Sequence, residues 1–228
     1  MVPRVNRPYV YSYFFWGNYM TKKRFIFDLD HTLMTADYSV EKGYFRDVFR
    51  CDADVFIDNV AELLYEYERL YPKYDIDELS GFLSRKTRLN FSPNIIKGWI
   101  ETFGECPSKI EDGVVETLEY LKSKDNSLVV LTNWFLKSQL SRIKNSGLGE
   151  YFDGVYAGDF CLKPRKGAYL EAMGDYSNRN CIVIGDNLEK DYIGPRAFEI
   201  DSILYDKDDK HNKNLVKIKN MREIINRY

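Results

Sequence analysis

The chain has 228 residues and a formal net charge of −2, with 33 lysine and arginine residues against 35 aspartate and glutamate residues. This length suits one compact domain or a core domain with a smaller insert, and the balanced charge argues against a surface that binds a nucleic-acid duplex. The four cysteines are widely spaced and only two histidines are present, which argues against a zinc site and favours a cytoplasmic protein over a disulfide-linked one.

The N-terminal 20 residues contain an aromatic-rich stretch, residues 9–16. This stretch is short, is interrupted by Ser12 and lacks a small-residue cleavage site, so we do not interpret it as a signal peptide. We predict that residues 1–20 are a dispensable extension ahead of a start at Met20. No apolar run in the sequence approaches the roughly 20 residues that cross a bilayer, so no membrane span is expected.

Four short apolar runs predict the strands of a parallel sheet. Each run is too short for a helix, and a nearly continuous apolar strand is typical of a sheet covered on both faces. Helical patterns alternate with the later runs, which predicts a doubly wound, Rossmann-like α/β core. The predicted strands are residues 24–29, 128–131, 181–184 and 203–205, and a final short helix is expected after the polar loop 206–214.

The stretch between the first and second predicted strands has a different pattern. From about residue 34 to residue 106 we find no strand run, and three amphipathic helix faces follow one another. We therefore predict an all-helical insert, residues 34–106, that covers the strand ends. The α/β core would then comprise residues 21–33 and 107–228.

Asp28 and Asp30 are the first candidates for catalysis. They lie two residues apart at the end of the first predicted strand, where open α/β sheets place their ligand sites. Carboxylates this close repel each other unless a cation or a proton intervenes, and Mg²⁺ prefers oxygen ligands. One carboxylate can attack phosphorus, and the other can protonate the leaving oxygen and later activate water. Alone, the pair is equally consistent with a strand end followed by a turn.

Two later segments offer groups that can bind a phosphoryl group. The Thr132 hydroxyl and the Asn133 backbone N–H follow the second predicted strand, although both residue types also favour helix N-caps. Lys163 precedes Pro164, which we place in the first turn of a helix. The Lys163 ammonium can neutralise negative charge at the site. Lys166 is a second candidate for this role, and a surface location is the usual alternative for a lysine.

The segment after the third predicted strand adds two more carboxylates. Gly185 permits a sharp turn, Asp186 is placed as a further oxygen ligand, and Asp191 lies about one helical turn beyond it. The alternative is that Asp186 or Asn187 caps a helix. These segments all lie at a strand end or a helix start, and such positions converge on one crevice of a doubly wound sheet. Their joint occurrence favours a catalytic site more than any single motif does.

Together these residues resemble the four motifs of the haloacid dehalogenase (HAD) superfamily. The resemblance extends from about Arg24 to Tyr205, and the helical insert looks like the C1 cap of the first subfamily. The four segments are Phe27-Asp28-Leu29-Asp30-His31-Thr32-Leu33, Leu131-Thr132-Asn133, Lys163-Pro164 and Gly185-Asp186-x4-Asp191.

The resemblance implies a Mg²⁺-dependent phosphatase that forms an aspartyl-phosphate intermediate. Asp28 would be the nucleophile and Asp30 the general acid and base. Mg²⁺ would be held by the Asp28 carboxylate, the Asp30 backbone carbonyl and Asp186. Asp191 would orient Asp186, Lys163 or a metal-bound water.

The resemblance also implies how the substrate, a small phosphate ester, is bound. Thr132 and Lys163 would bind the phosphoryl group. His31 stands where family members commonly have glycine, and we expect it to tolerate the loop geometry and to point at the cap. Contact between His31 and the substrate, the identity of the substrate and the oligomeric state are left open.

Three alternative functions belong to the same fold. A dehalogenase releases a halide that needs no proton, so Asp30 favours phosphoryl transfer. A sugar-phosphate mutase would return the phosphoryl group to a sugar instead of water. A non-catalytic binding protein of the same fold would have no reason to retain Asp28, Asp30, Lys163 and Asp186 together.

Overall fold

A six-stranded sheet forms the centre of the molecule, and a two-stranded sheet lies beside it. The computed structural model describes residues 22–50 and 53–228, so the predicted extension 1–20 lies outside the described residues. In chain order the strands are β1 (Arg24–Phe27), β2 (Met34–Ala36), β3 (Ser108–Ile110), β4 (Ser127–Leu131), β5 (Gly154–Tyr156), β6 (Cys181–Gly185), β7 (Asp201–Tyr205) and β8 (Lys217–Ile218). The large sheet has the order β5-β4-β1-β6-β7-β8 and all its neighbours pair in parallel, which confirms the predicted α/β class.

Helices fill the connections between these strands. Four of them follow β2, and the others alternate with the later strands. The helices are α1 (Ser39–Phe49), α2 (Ala53–Leu70), α3 (Ile76–Thr87), α4 (Pro93–Gly104), α5 (Val114–Ser123), α6 (Leu136–Asn145) and α7 (Lys166–Met173). Shorter helical turns are Leu148–Tyr151, Asn178–Asn180, Leu188–Ile193, Gly194–Arg196 and Met221–Ile224. No helix among residues 22–50 and 53–228 is both long and apolar enough to cross a membrane.

Both faces of the large sheet are covered, which explains the continuous apolar strands. Phe25 and Phe27 of β1 pack on one face with α5 and α6, whereas Ile26 packs on the other face with α7. All three side chains are fully buried. This alternation follows from the two-residue repeat of a strand, and β1 is therefore buried on both faces of the sheet.

A third apolar cluster lies between helices α1–α4, which we call the helical insert, and the edge of the large sheet. Its aromatic members include Phe45, Trp99 and Phe103 of the insert. Trp134 and Phe135, which follow Thr132 and Asn133 in the core, belong to the same cluster. The Trp99 and Trp134 rings have centroids 4.8 Å apart. The insert is therefore packed directly against the loop that carries Thr132 and Asn133.

Some local predictions are wrong. Residues 34–106 are not free of strands, because β2 lies within this range and pairs antiparallel with β3, which follows the insert in the chain. Three-residue strands stabilised by a distant partner leave no periodic signal in the sequence. Pro164 is not in the first turn of α7, which begins at Lys166 after the extended residue Arg165. Strands β5 and β8 were also missed, and each is only two or three residues long.

Candidate active site

Three strand ends meet at the carboxyl edge of the large sheet. Strand β1 pairs with β4 on one side and with β6 on the other, so the residues that follow them emerge side by side. These residues are Asp28 after β1, Thr132 after β4 and Asp186 after β6. The Asp28 N–H donates to the Ile184 carbonyl at 2.8 Å, which continues the β1–β6 pairing to the nucleophile candidate itself. The predicted convergence on one crevice is therefore present.

Thr32 links the loop after β1 to the loop after β6. Its buried hydroxyl accepts the Asp186 N–H at 3.0 Å and lies 3.2 Å from Asp186 Oδ1 and 3.3 Å from Asp28 Oδ2. His31 precedes it with φ 61°, in the left-handed region that favours glycine. The His31 ring lies 6.5 Å from the Tyr38 ring at the start of the insert, so it faces the insert as expected. No role for Thr32 was predicted from the sequence.

Lys163 is the cation of the site. It is 2% exposed, and its Nζ donates to Asp28 Oδ1 at 2.7 Å and to Asp191 Oδ1 at 2.6 Å. Burial opposes the charged form, but the two carboxylates outweigh it and raise the pKa of the ammonium above its ordinary value. Lys163 is therefore charged at neutral pH. Lys166, the other candidate, is exposed and lies near the Phe198 ring instead.

Asn133 holds the backbone of Lys163 in place. Its Oδ1 accepts the Lys163 N–H at 2.8 Å, and its Nδ2 donates to the Lys163 carbonyl at 3.0 Å. The two bonds join the loop after β4 to the segment before α7. This role of the Asn133 side chain was not predicted, because a contact across 30 residues has no sequence signal.

Three carboxylates crowd together beside Lys163. Single oxygen atoms of Asp28, Asp186 and Asp191 all lie within 4.8 Å of one another. Burial and the neighbouring carboxylates raise the pKa of Asp186, and burial and the charge of Asp28 raise the pKa of Asp191 although Lys163 opposes that shift. When all three carboxylates are ionised, one ammonium leaves two negative charges, and an all-oxygen donor set of this kind fits a divalent ion such as Mg²⁺.

Gly185 and Asn187 create the space and the turn that bring Asp191 to this cluster. A Cβ at position 185 would lie 2.4 Å from Asp191 Cγ, so only glycine fits there. The Asn187 side chain caps the following π-helical turn by accepting the backbone N–H groups of Glu189 and Lys190. The backbone N–H of Asn187 donates to Asp191 Oδ2 at 3.1 Å. The helix cap that the sequence analysis considered for Asn187 is therefore present together with the carboxylate cluster.

The Asp30 carboxylate contacts helix α6. Its Oδ1 lies 2.6 Å from Arg142 Nη1, and its Oδ2 accepts from Gln139 Nε2 at 3.0 Å. The same Gln139 nitrogen lies 2.9 Å from Thr132 Oγ1. Neither α6 residue was singled out in the sequence, because polar residues on a helix ordinarily face solvent. These two are buried.

A cavity of about 530 Å³ lies between the helical insert and the site. From the core it is lined by Asp30, His31, Asn133, Trp134 and Lys190, and the insert contributes mainly aromatic, aliphatic and acidic side chains. Concave, largely apolar cavities with a few polar groups are the usual form of a small-molecule site. The insert residues that line it include Tyr38, Glu41, Phe45, Tyr65, Glu68, Tyr74, Trp99 and Phe103.

Comparison with known proteins places the chain in a family. The family model for haloacid dehalogenase-like hydrolases matches residues 22–198, which is most of the chain. The chain belongs to this hydrolase family. The predicted membership of the HAD superfamily, and the prediction that the chain is a hydrolase, are thereby confirmed.

Two curated relatives of this HAD-like hydrolase are nucleotidases. It is 24% identical to pyrimidine 5′-nucleotidase YjjG of Escherichia coli over 187 residues, or 74% of this chain and 79% of YjjG. It is also 24% identical to pyrimidine 5′-nucleotidase PynA of Streptococcus pneumoniae, over 82% of this chain and 84% of PynA. Among solved structures, magnesium-bound YfnB of Bacillus subtilis has the same fold, with TM-score 0.66 and 20% identity over 90% of this chain and 97% of YfnB.

Glu41 of this HAD-like hydrolase is a buried acid in the wall of the cavity. Burial raises its pKa to about 7, the hydrogen bond donated by Trp99 Nε1 opposes the shift, and the charge of Asp30 adds to it. In the unfolded chain the pKa returns to about 4.5. The folded state therefore binds the extra proton between these two pH values, and stability falls as the pH rises through that window.

The Glu41→Gln variant is expected to be more stable than the wild type at pH 8, because a neutral side chain avoids the cost of a buried charge and still accepts from Trp99. The pKa shift corresponds to a gain of about 3 kcal/mol. The gain should shrink toward zero as the pH falls to 4.5. Urea unfolding at several pH values measures it, with the exposed Glu62→Gln as control. An equal difference at pH 8 and pH 5 would contradict the assignment.

Proposed function

We propose that this chain is a Mg²⁺-dependent phosphomonoesterase in which Asp28 attacks phosphorus and becomes an aspartyl-phosphate. The observation that carries the proposal is the contact of Asp28 with a buried, charged Lys163 at 2.7 Å within a cluster of three carboxylates. One carboxylate oxygen is thus presented beside an ammonium, in a cluster of oxygen ligands that can hold a further cation. A phosphoryl group, which carries negative charge on its oxygens, can approach only where such charge is neutralised.

Residues of the cluster would hold the metal and the phosphoryl group. The Asp28 and Asp186 carboxylates and the Asp30 backbone carbonyl are the proposed ligands, with Asp191 beside them. A bound divalent cation would offset the excess negative charge and polarise the phosphoryl oxygens. Lys163 and the Thr132 hydroxyl would bind these oxygens from the protein side.

The reaction has two steps that share the same residues. Asp28 Oδ attacks phosphorus while the ester P–O bond breaks, and Asp30 gives a proton to the leaving oxygen. Water then attacks the phosphorus of the aspartyl-phosphate and gives a proton to Asp30. The bond between Asp28 and phosphorus breaks, inorganic phosphate leaves and both aspartates return to their initial state.

We propose a nucleoside 5′-monophosphate, pyrimidine in preference to purine, as the substrate class. The support comes from the two nucleotidase relatives and from the cavity above the site. The rings of Tyr38, Trp99, Phe103 and Trp134 give the cavity flat apolar walls, and ring stacking suits a nucleobase. Residues 34–106, which carry most of these walls, would act as the cap that selects the substrate.

Release of inorganic phosphate from a substrate panel tests the proposal. The panel comprises p-nitrophenyl phosphate, pyrimidine and purine nucleoside 5′-monophosphates, glucose 6-phosphate and 2-chloropropionate. We expect Mg²⁺-dependent phosphate release that EDTA abolishes, with kcat/KM for uridine 5′-monophosphate at least about 10-fold above that for adenosine 5′-monophosphate. The Asp186→Asn variant should need more Mg²⁺ for half-maximal rate.

Other outcomes would contradict particular parts of the proposed function. Phosphate release that is unaffected by EDTA would overturn the metal requirement. Isomerisation of glucose 6-phosphate without phosphate release would indicate a mutase, and chloride release from 2-chloropropionate would indicate a dehalogenase. Activity toward none of the panel would overturn the proposed chemistry.

A further inference from the structure

Helix α6 carries two buried polar side chains that converge on Asp30. Gln139 and Arg142 are 0% and 1% exposed and lie three residues apart, so they share one face of the helix. Arg142 Nη1 is 2.6 Å from Asp30 Oδ1, and Gln139 Nε2 is 3.0 Å from Asp30 Oδ2. Each oxygen of the Asp30 carboxyl is therefore contacted by a different α6 side chain.

The guanidinium of Arg142 is itself fixed from three sides. Its Nη1 donates to Gln139 Oε1 at 2.9 Å, and its Nε donates to Ser108 Oγ of β3 at 3.2 Å. Its central carbon lies 4.6 Å from the centre of the Phe103 ring of α4. These contacts come from the core helix, from the strand that follows the insert and from the insert itself. The position of the charged guanidinium beside Asp30 is thus set by the surrounding fold.

A buried arginine and glutamine at these positions are costly unless they serve a partner. Removing a guanidinium from water costs several kcal/mol, and a buried ion pair seldom adds net stability over apolar residues of the same size. The Asp30 side chain, by contrast, is one-quarter exposed and lines the substrate cavity. Without the α6 contacts it would be free to change rotamer in that space.

We propose that Arg142 and Gln139 are positioning residues that hold the Asp30 carboxyl in the orientation for proton exchange with the leaving oxygen. This inference rests on the proposed function, in which Asp30 is the general acid of the first step. The two α6 residues act through Asp30 and do not touch the reacting atoms. Gln139 also contacts Thr132 Oγ1 at 2.9 Å, so one side chain links the acid to a phosphate-binding hydroxyl.

The proposal predicts a dependence on the leaving group. Phenyl phosphate and p-nitrophenyl phosphate have nearly the same shape, but phenolate is a much stronger base than 4-nitrophenolate and needs the proton more. Loss of a well-placed general acid should therefore lower kcat/KM for phenyl phosphate more than for p-nitrophenyl phosphate. The ratio of the two kcat/KM values excludes phosphoenzyme hydrolysis, which follows departure of the leaving group, and it cancels changes in phosphate binding that both substrates share.

The test measures this ratio in the Mg²⁺-loaded enzyme for Arg142→Met, Arg142→Lys and Gln139→Met, each in the wild-type and the Asp30→Asn background. We expect Asp30→Asn to reduce the ratio, phenyl over p-nitrophenyl, by about 10-fold or more. Arg142→Met and Gln139→Met should also reduce this ratio, and Arg142→Lys should reduce it less than Arg142→Met does. In the Asp30→Asn background none of the three should change it further.

Two variants of α6 serve as controls. Ile143→Ala removes a buried side chain that does not contact Asp30, so it should lower stability without changing the ratio. Lys144→Met alters an exposed residue of the same helix and should change neither quantity.

The possible outcomes distinguish failure of the positioning role from failure of the acid role of Asp30. An unchanged ratio in both Arg142→Met and Gln139→Met, with Asp30→Asn still reducing it, would overturn the positioning role alone. The same would follow if Ile143→Ala reduced the ratio as much as Arg142→Met. An unchanged ratio in Asp30→Asn would overturn the acid role of Asp30 and the positioning role with it. If Arg142→Met does not fold, Gln139→Met decides the result.

Discussion

The Asp28→Asn variant is expected to lose at least about 1000-fold in kcat/KM toward p-nitrophenyl phosphate, because an amide oxygen does not replace a carboxylate nucleophile. The fold should survive the change. Asparagine still accepts the hydrogen bond from Lys163, and the loss of one negative charge relieves repulsion from Asp186 and Asp191. In the absence of metal the variant should therefore unfold at the same temperature as the wild type or a higher one.

Phosphate release and thermal unfolding are measured on the same Asp28→Asn preparation. Asp125→Asn is the matched control, since Asp125 is exposed, pairs with Lys22 and lies in a turn with φ 60° that asparagine tolerates. The control should retain wild-type activity. Wild-type rates in Asp28→Asn would show that another group attacks phosphorus.

The Lys163→Met variant is expected to lose both activity and stability. Among residues 22–50 and 53–228, its ammonium forms the ion pairs of both Asp28 and Asp191. Removing one member of a buried ion pair costs about 3–5 kcal/mol, because the remaining charges lose their compensation. Loss of the cation near the phosphoryl oxygens should also lower kcat by about 100-fold or more.

Metal should partly compensate for the loss of Lys163. A divalent cation in the carboxylate cluster would neutralise the same charges, so Mg²⁺ should raise the unfolding temperature of Lys163→Met more than that of the wild type. Calorimetry with and without Mg²⁺ measures this difference. Lys166→Met, an exposed lysine three residues away, is the control and should behave as the wild type does. An unfolding temperature of Lys163→Met equal to that of the wild type would contradict the proposed charge balance.

The central strands and the residues at their ends could be predicted from the sequence. Strands β1, β4, β6 and β7 are buried on both faces and therefore consist of continuous apolar runs, which few other elements resemble. Parallel pairing then places the following polar residues at one edge. Asp28, Thr132 and Asp186 reach that edge for this reason.

The contacts that hold these residues could not be predicted, because they join distant parts of the chain. Asn133 holds Lys163 across 30 residues, and Gln139 reaches Asp30 across 109. The pairing of β2 with β3 spans the whole helical insert. Local propensity carries no information about such pairs. Arg142 was overlooked for a related reason, since a charged residue on an amphipathic helix is expected to face water.

The most direct test of the proposed mechanism is to identify the residue that carries the phosphoryl group during turnover. The Mg²⁺-loaded enzyme is mixed with p-nitrophenyl phosphate, quenched in acid within one turnover and digested, and the peptides are analysed by mass spectrometry. We expect one added phosphoryl group on Asp28, which is absent from Asp28→Asn treated in the same way. A phosphoryl group on another residue, or phosphate release by an enzyme that is never phosphorylated, would contradict it.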